Sequence, residues 1–186
     1  MSSRSLSKSS KSSSASTSVD VSSQKFPSKT LSSVSDVVAF ILEENEKLPN
    51  FELKVSAQKK SAFSAKKVPK INLLDYLVRI SEYTEVEETT LVLSLVYVDR
   101  VCEENGIVLT KYNIHRLLFT SIYLAIKYNE DNYYTFDYYA KIAGISKDEL
   151  HILENEFVDL IKFDFYVDSS LFAKYQKYLK SFKKTL

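Results

Sequence analysis

From Ser35 to the C-terminus, apolar side chains return every three or four residues, and no stretch alternates apolar with polar residues at the two-residue period of a strand. A chain patterned in this way can hide its apolar stripes only by packing helix against helix, which predicts an all-α fold. The stripe Val34, Val38, Ile41 and Leu42 marks a first helix over 35–47, stopped before Pro49. Further helices are expected over 71–84 and within 85–106, where early acids favour a helix start and Gly106 supplies a C-cap. In the segment 111–129, Ile114, Leu118, Ser121, Ile122 and Ala125 share one face. Small Ser121 and Ala125, one turn apart, let a neighbouring helix come close, which places this helix at the centre. A short helix at 135–143 is stopped by Gly144, and Ser146 then caps the next, with Glu149 in the capping-box position. Leu150, Leu153, Phe157, Leu160 and Ile161 form the buried stripe of that helix, and a last one covers 168–182. The links between the helices from 72 to 161 are short, as a compact bundle requires. A chain of 186 residues holds one such domain.

The remainder divides by composition. Residues 1–30 hold 14 serines and almost no large apolar side chain, too little to offset the entropy of ordering, so disorder is expected there. Residues 1–70 carry 12 Lys/Arg against 6 Asp/Glu, whereas 71–186 carry 13 against 18. An acidic helical region argues against a binder of nucleic-acid backbones, which needs clustered basic charge. Lys59, Lys60, Lys66 and Lys67 read as a solvated linker.

Catalytic chemistry finds little purchase. Two glycines in the whole chain make no phosphate-cradling loop. One cysteine and no Cys/His cluster exclude a disulfide and the usual zinc frameworks, so no metal and no cofactor are expected. A Cys102/His115 couple is the only conceivable nucleophile and base, and a buried cysteine is ordinarily inert packing. Asp148 and His151 have the i, i+3 spacing of some metal ligands but lack a second such pair. No apolar run approaches about 18 residues, so no membrane span is expected. The expected setting is intracellular, in the nucleus, the cytoplasm or both.

The stretch "LAIKYNEDNYYTFDYYAKIAGIS", 124–146, gathers six aromatic rings around a short acidic turn. Tyrosine suits such a place because its ring buries apolar area while its hydroxyl reaches a polar partner. Tyr133, Tyr134, Tyr138 and Tyr139 are expected to clamp the short helix onto its neighbours, with 129–131 forming the turn that aims Lys127.

Here the chain resembles a known family. "PKINLLDYLVRISEYT", "YVDR", "LTKYNIHRLLFTSIYLAIKYNED" and "YYAKIAGISKDELHILENEF" are similar, in order and spacing, to blocks of the single-box cyclins of the P/U or Pho-like subgroup. The likeness covers about residues 63–166. It implies a cyclin-like five-helix box with an additional helix at each end. The corresponding division is a disordered tail at 1–34, an N-terminal helix at 35–48, a basic linker at 49–70, the box at 71–166 and a C-terminal helix at 167–186. The resemblance also implies a regulatory subunit with no catalytic residues of its own, which binds the C-helix region of a cyclin-dependent kinase and activates it in nutrient or phosphate signalling or in the cell cycle. By the family's motifs, Lys127 of "LAIKY" and Glu154 of "HILENEF" would grip the kinase and Tyr128 would pack on it. Asp99 of "YVDR" would be a structural acid paired with Arg79, and Gly144 a structural turn. The alternative is a cyclin-fold nucleic-acid-binding or adaptor module of the transcription machinery.

Overall fold

The computed structural model describes residues 27–58 and 60–182, and within them the regular structure is entirely helical. Eight helices follow in order among the described residues: α1 Lys29–Glu46, α2 Phe51–Ala57, α3 Leu73–Thr84, α4 Glu88–Asn105, α5 Ile114–Asn129, α6 Phe136–Ala143, α7 Lys147–Leu160 and α8 Ser169–Ser181. Helices α3 to α7 form the box, built around α5. Residues 117–126 of α5 are buried on every side, as a helix must be when neighbours surround it. It packs on α4, α7 and α3, while α6 bridges α3 and α7, and α1 and α8 lie across α4.

Small side chains set the closest of these crossings. Ser121 of α5 donates its hydroxyl to the Ser94 carbonyl of α4 at 2.6 Å, both residues being buried, so two backbones approach and the polar atoms stay satisfied. Punctuation then fixes the helix ends. Asn72, Thr135, Ser146 and Asp168 each accept a backbone N–H in the first turn of α3, α6, α7 and α8. Gly144 closes α6 at φ +73°, a left-handed turn that an L side chain adopts only at a cost.

Three boundaries differ from the sequence expectation. Helix α1 starts at Lys29, capped by Ser28, not at 35, because Leu31 and Val34 extend the Val38 stripe backwards and both are buried. Residues 29–34 therefore belong to the fold and not to the tail; the disorder expected for 1–26 lies outside the described residues. The linker at 49–70 is partly structured: α2 occupies its first half, and Phe63 in its second half is buried edge-on against Phe157, with ring centroids 6.0 Å apart. Lys60, Lys66 and Lys67 are exposed, and Lys59 lies outside the described residues. After α7, Lys162 and Phe163 both adopt left-handed backbone, φ +53° and +58°, which reverses the chain within two residues.

Candidate functional site

Lys127 occupies the last turn of α5, and Glu154 lies on the neighbouring α7. The Lys127 Nζ stands 2.6 Å from Glu154 Oε1, and the Tyr123 hydroxyl donates to the same oxygen at 3.2 Å. Tyr123 precedes Lys127 by one turn, and the ammonium lies 5.1 Å from the centre of its ring. The second Glu154 oxygen is 4.0 Å from His151 Nδ1, and the His151 ring rests on Phe136 with centroids 4.2 Å apart. Glu154 is the more enclosed partner, its side chain 14% exposed against 40% for Lys127. Partial burial alone would lower the Lys127 ammonium, but hydrogen bonds to Glu154 and Tyr123 outweigh it and hold the pKa above the usual lysine value. Burial pushes the Tyr123 hydroxyl up to about 12, so it remains a donor at every physiological pH.

The surface continues past Lys127 as aromatic rings. Tyr128 is 59% exposed and leans on Phe165 at 5.3 Å, and beyond it Phe163 and Tyr166 are 74% and 72% exposed. Their outward aim has a local cause. Tyr97 donates its hydroxyl to the Phe165 carbonyl at 2.9 Å, and Phe165 packs edge-on against the Tyr97 ring. Arg100 donates to the carbonyls of Asp164 and Tyr166 and pairs with the Asp164 carboxylate at 3.1 Å. With the Phe165 ring and these carbonyls held against α4, the Phe163 and Tyr166 rings are left outside. Sequence reasoning found Lys127, Tyr128 and Glu154 but passed over Tyr123, Phe163 and Tyr166. The four-residue spacing of Tyr123 and Lys127 was a visible signal; the turn at Phe163 was not, since no glycine marks it.

The aromatic clamp on α6 is partial. Tyr139 is buried against Tyr123 at 4.8 Å and accepts the Tyr134 N–H, and Tyr138 donates to the Tyr83 carbonyl at 3.1 Å. Tyr133 instead stands in solvent. Asn129 is still helical and ties back to the Ala125 carbonyl at 2.8 Å.

Arg79 and Asp99 do not pair. Arg79 faces α6 and donates to the Lys141 carbonyl at 3.2 Å, whereas Asp99 faces α8 and accepts the Tyr175 hydroxyl. Asp99 thus anchors the outer helix rather than bracing α3. Cys102 and His115 are likewise apart. Cys102 lines a groove of about 690 Å³ between α1, α4 and α8, where burial raises its thiol to about 12. His115 rests on Tyr76 and bonds the Ile71 carbonyl through Nε2 at 3.1 Å, leaving Nδ1 buried with no partner. Among the described residues no three His, Cys, Asp or Glu side chains group as metal ligands, and no helix is long and apolar enough to cross a membrane.

Five short-linked helices, four of them around a buried central one, with the N- and C-terminal helices packed together across α4, define a cyclin-box fold. The sequence model of the Cyclin family matches residues 1–165. Among curated proteins, Cyclin-U2-2 of Arabidopsis thaliana is 35% identical over 148 residues, 78% of this chain and 64% of that protein. Cyclin-U4-1 of the same plant is 32% identical over 154 residues, 82% of this chain and 75% of that protein. Cyclin-P4-1 of Oryza sativa subsp. japonica is 34% identical over 122 residues, 65% of this chain and 58% of that protein. The match thus spans less than two thirds of the length of several of these relatives. The chain belongs to the cyclin family, within its P/U-type branch.

Proposed function

We propose that this chain is a regulatory subunit that binds and activates a cyclin-dependent protein kinase, with Lys127, Glu154 and Tyr128 at the contact. The observations that support the reading are a hydrogen-bonded charge pair joining α5 to α7 and, starting at the residue after Lys127, three exposed aromatic rings, Tyr128, Phe163 and Tyr166. Large exposed aromatics rimmed by polar groups are what a protein-docking surface presents.

A protein kinase is competent when the glutamate of its C-helix pairs with the catalytic lysine and its metal-binding aspartate is in place. A rigid surface that binds this arrangement better than the inactive one shifts the population towards it. Taking a kinase from almost wholly inactive to almost wholly active requires about 5.5 kcal/mol of differential binding. Two charges do not supply that, so an interface of roughly 1,600 Å² is required, with aromatic burial providing the energy and Lys127 and Glu154 the register. The subunit performs no covalent step. Its setting is nutrient or phosphate signalling or the cell cycle, in the nucleus or the cytoplasm.

Affinity purification of the tagged chain, followed by mass spectrometry and a kinase assay on the eluate, tests this. The expected result is a cyclin-dependent kinase that is recovered by the natural chain and lost with Phe163→Ala plus Tyr128→Ala. Equal recovery and equal activity with the double variant would refute the assignment of this face.

A further inference from the structure

Between α2 and α3 the chain is strapped to the box by a few bonds concentrated in six residues. The Ala62 N–H donates to Glu156 Oε2 at 2.9 Å, and the Ala62 carbonyl accepts Arg116 Nη1 at 2.7 Å. Arg116 is itself paired with Glu149, so Glu156 of α7 and Arg116 of α5, braced by Glu149, hold both backbone groups of one residue. Phe63 is the buried anchor, and the Ala65 N–H donates to the Tyr112 carbonyl at 2.8 Å. The Ser61 hydroxyl oxygen accepts the Phe63 N–H at 3.1 Å, so Ser61 and Glu156 present oxygens to two consecutive amides. Beside them lies a cavity of about 510 Å³ whose lining includes Lys60, Ser61, Ser64, Glu156 and Asp159.

We propose that Ser61 is a phosphorylation site and that its modification unlatches residues 60–65 from α5 and α7. Lys59 and Lys60 immediately precede it, the side from which a basic-directed protein kinase reads cations. Ser61 is partly exposed and no helix runs through the described residues from 60 to 72, so local opening of the strap offers an extended substrate. The Ser61 oxygen attacks the γ-phosphorus of ATP, its proton passes to the modifying kinase's base, and ADP leaves. The product carries between one and two negative charges at neutral pH. Glu156 and Asp159 line the same cavity from α7, and these two carboxylates outnumber the one exposed ammonium there, that of Lys60. Like-charge repulsion then falls on the Ala62–Glu156 bond. Opening is what admits the modifying kinase, and the phosphate prevents reclosing.

The full chain incubated with ATP and a basic-directed protein kinase should be labelled at Ser61 by mass-spectrometric mapping. In a chain with phosphoserine installed at position 61, amide hydrogen exchange at Ala62 and Ala65 should quicken by about tenfold or more while α5 keeps its protection. Adding Glu156→Gln, which still accepts the Ala62 N–H without the charge, should reduce that effect. No label at Ser61, unchanged or slower exchange with phosphoserine 61, loosening that Glu156→Gln leaves undiminished, or loss of protection through α5 would each overturn the proposal.

Discussion

Lys127 and Glu154 make their mutual bond at the edge of solvent, where an ion pair stabilises a fold little, here by about 0.5 kcal/mol. Either reversal alone, Lys127→Glu or Glu154→Lys, should therefore move the thermal midpoint only slightly, and the exchanged pair should restore it. Kinase recovery should be lost in all three, because the exchanged pair presents inverted charge to the same partner; recovery restored in the exchanged pair would mean that the two residues serve only each other. His115 carries a different prediction. Burial lowers its pKa, against an opposing contribution from the Ile71 carbonyl. Above about pH 6.5 both folded and unfolded chains hold it neutral and it contributes nothing to the pH dependence. As the pH falls below that value, the unfolded chain takes up a proton that the folded chain refuses, and stability is lost until the lowered folded pKa is reached. Urea midpoints between pH 7.5 and 5 should fall, and His115→Gln, which keeps a donor for Ile71, should flatten the decline. The resemblance to cyclin motifs singled out Lys127 and Glu154, which the structure brings together. It could not show that Asp99 answers to Tyr175, 76 residues away, since nothing local distinguishes that tyrosine from twelve others.

Helix α5 and the turn after α6 set the tolerance of each element. Ser121 lies against α4 with no space around it, so Ser121→Leu should force the two backbones apart at a cost of about 1–3 kcal/mol beyond the lost hydrogen bond. Gly144 is the opposite case. A Cβ there would meet nothing within 4 Å, so Gly144→Ala should cost only the left-handed backbone, about 1 kcal/mol, read as a modest fall in denaturant midpoint. A larger loss would mean that the turn after α6 has a packing role as well. These two elements were legible because their signals are local: small residues one turn apart, and glycine followed by a capping serine. The start of α1 was not, because serines surround Leu31 and part it from the stripe that Val34 and Val38 display. The turn at Lys162 and Phe163 was hidden too, because no glycine marks either left-handed residue.

For the whole molecule, Phe63 shows that the region ahead of the box is part of the core. Phe63→Ala should cost about 3–5 kcal/mol, a large share of the roughly 5–15 kcal/mol that holds a domain of this size together. Calorimetry should show a clearly lowered midpoint; a connector that was merely solvated would leave it in place. Composition alone makes this stretch a basic linker, since six lysines outweigh two phenylalanines in any average, and only the facing Phe157 turns Phe63 into core. One turn back along α7 from Phe157, the charge pair is complete while the chain stands alone. An arriving surface must exchange one bond for another there, since no vacancy awaits it. If this is the docking surface proposed above, a newcomer offering only hydrocarbon at that spot would strip water from two ions and return nothing, so the pair would decide which visitors are admitted, separately from how long the right one stays.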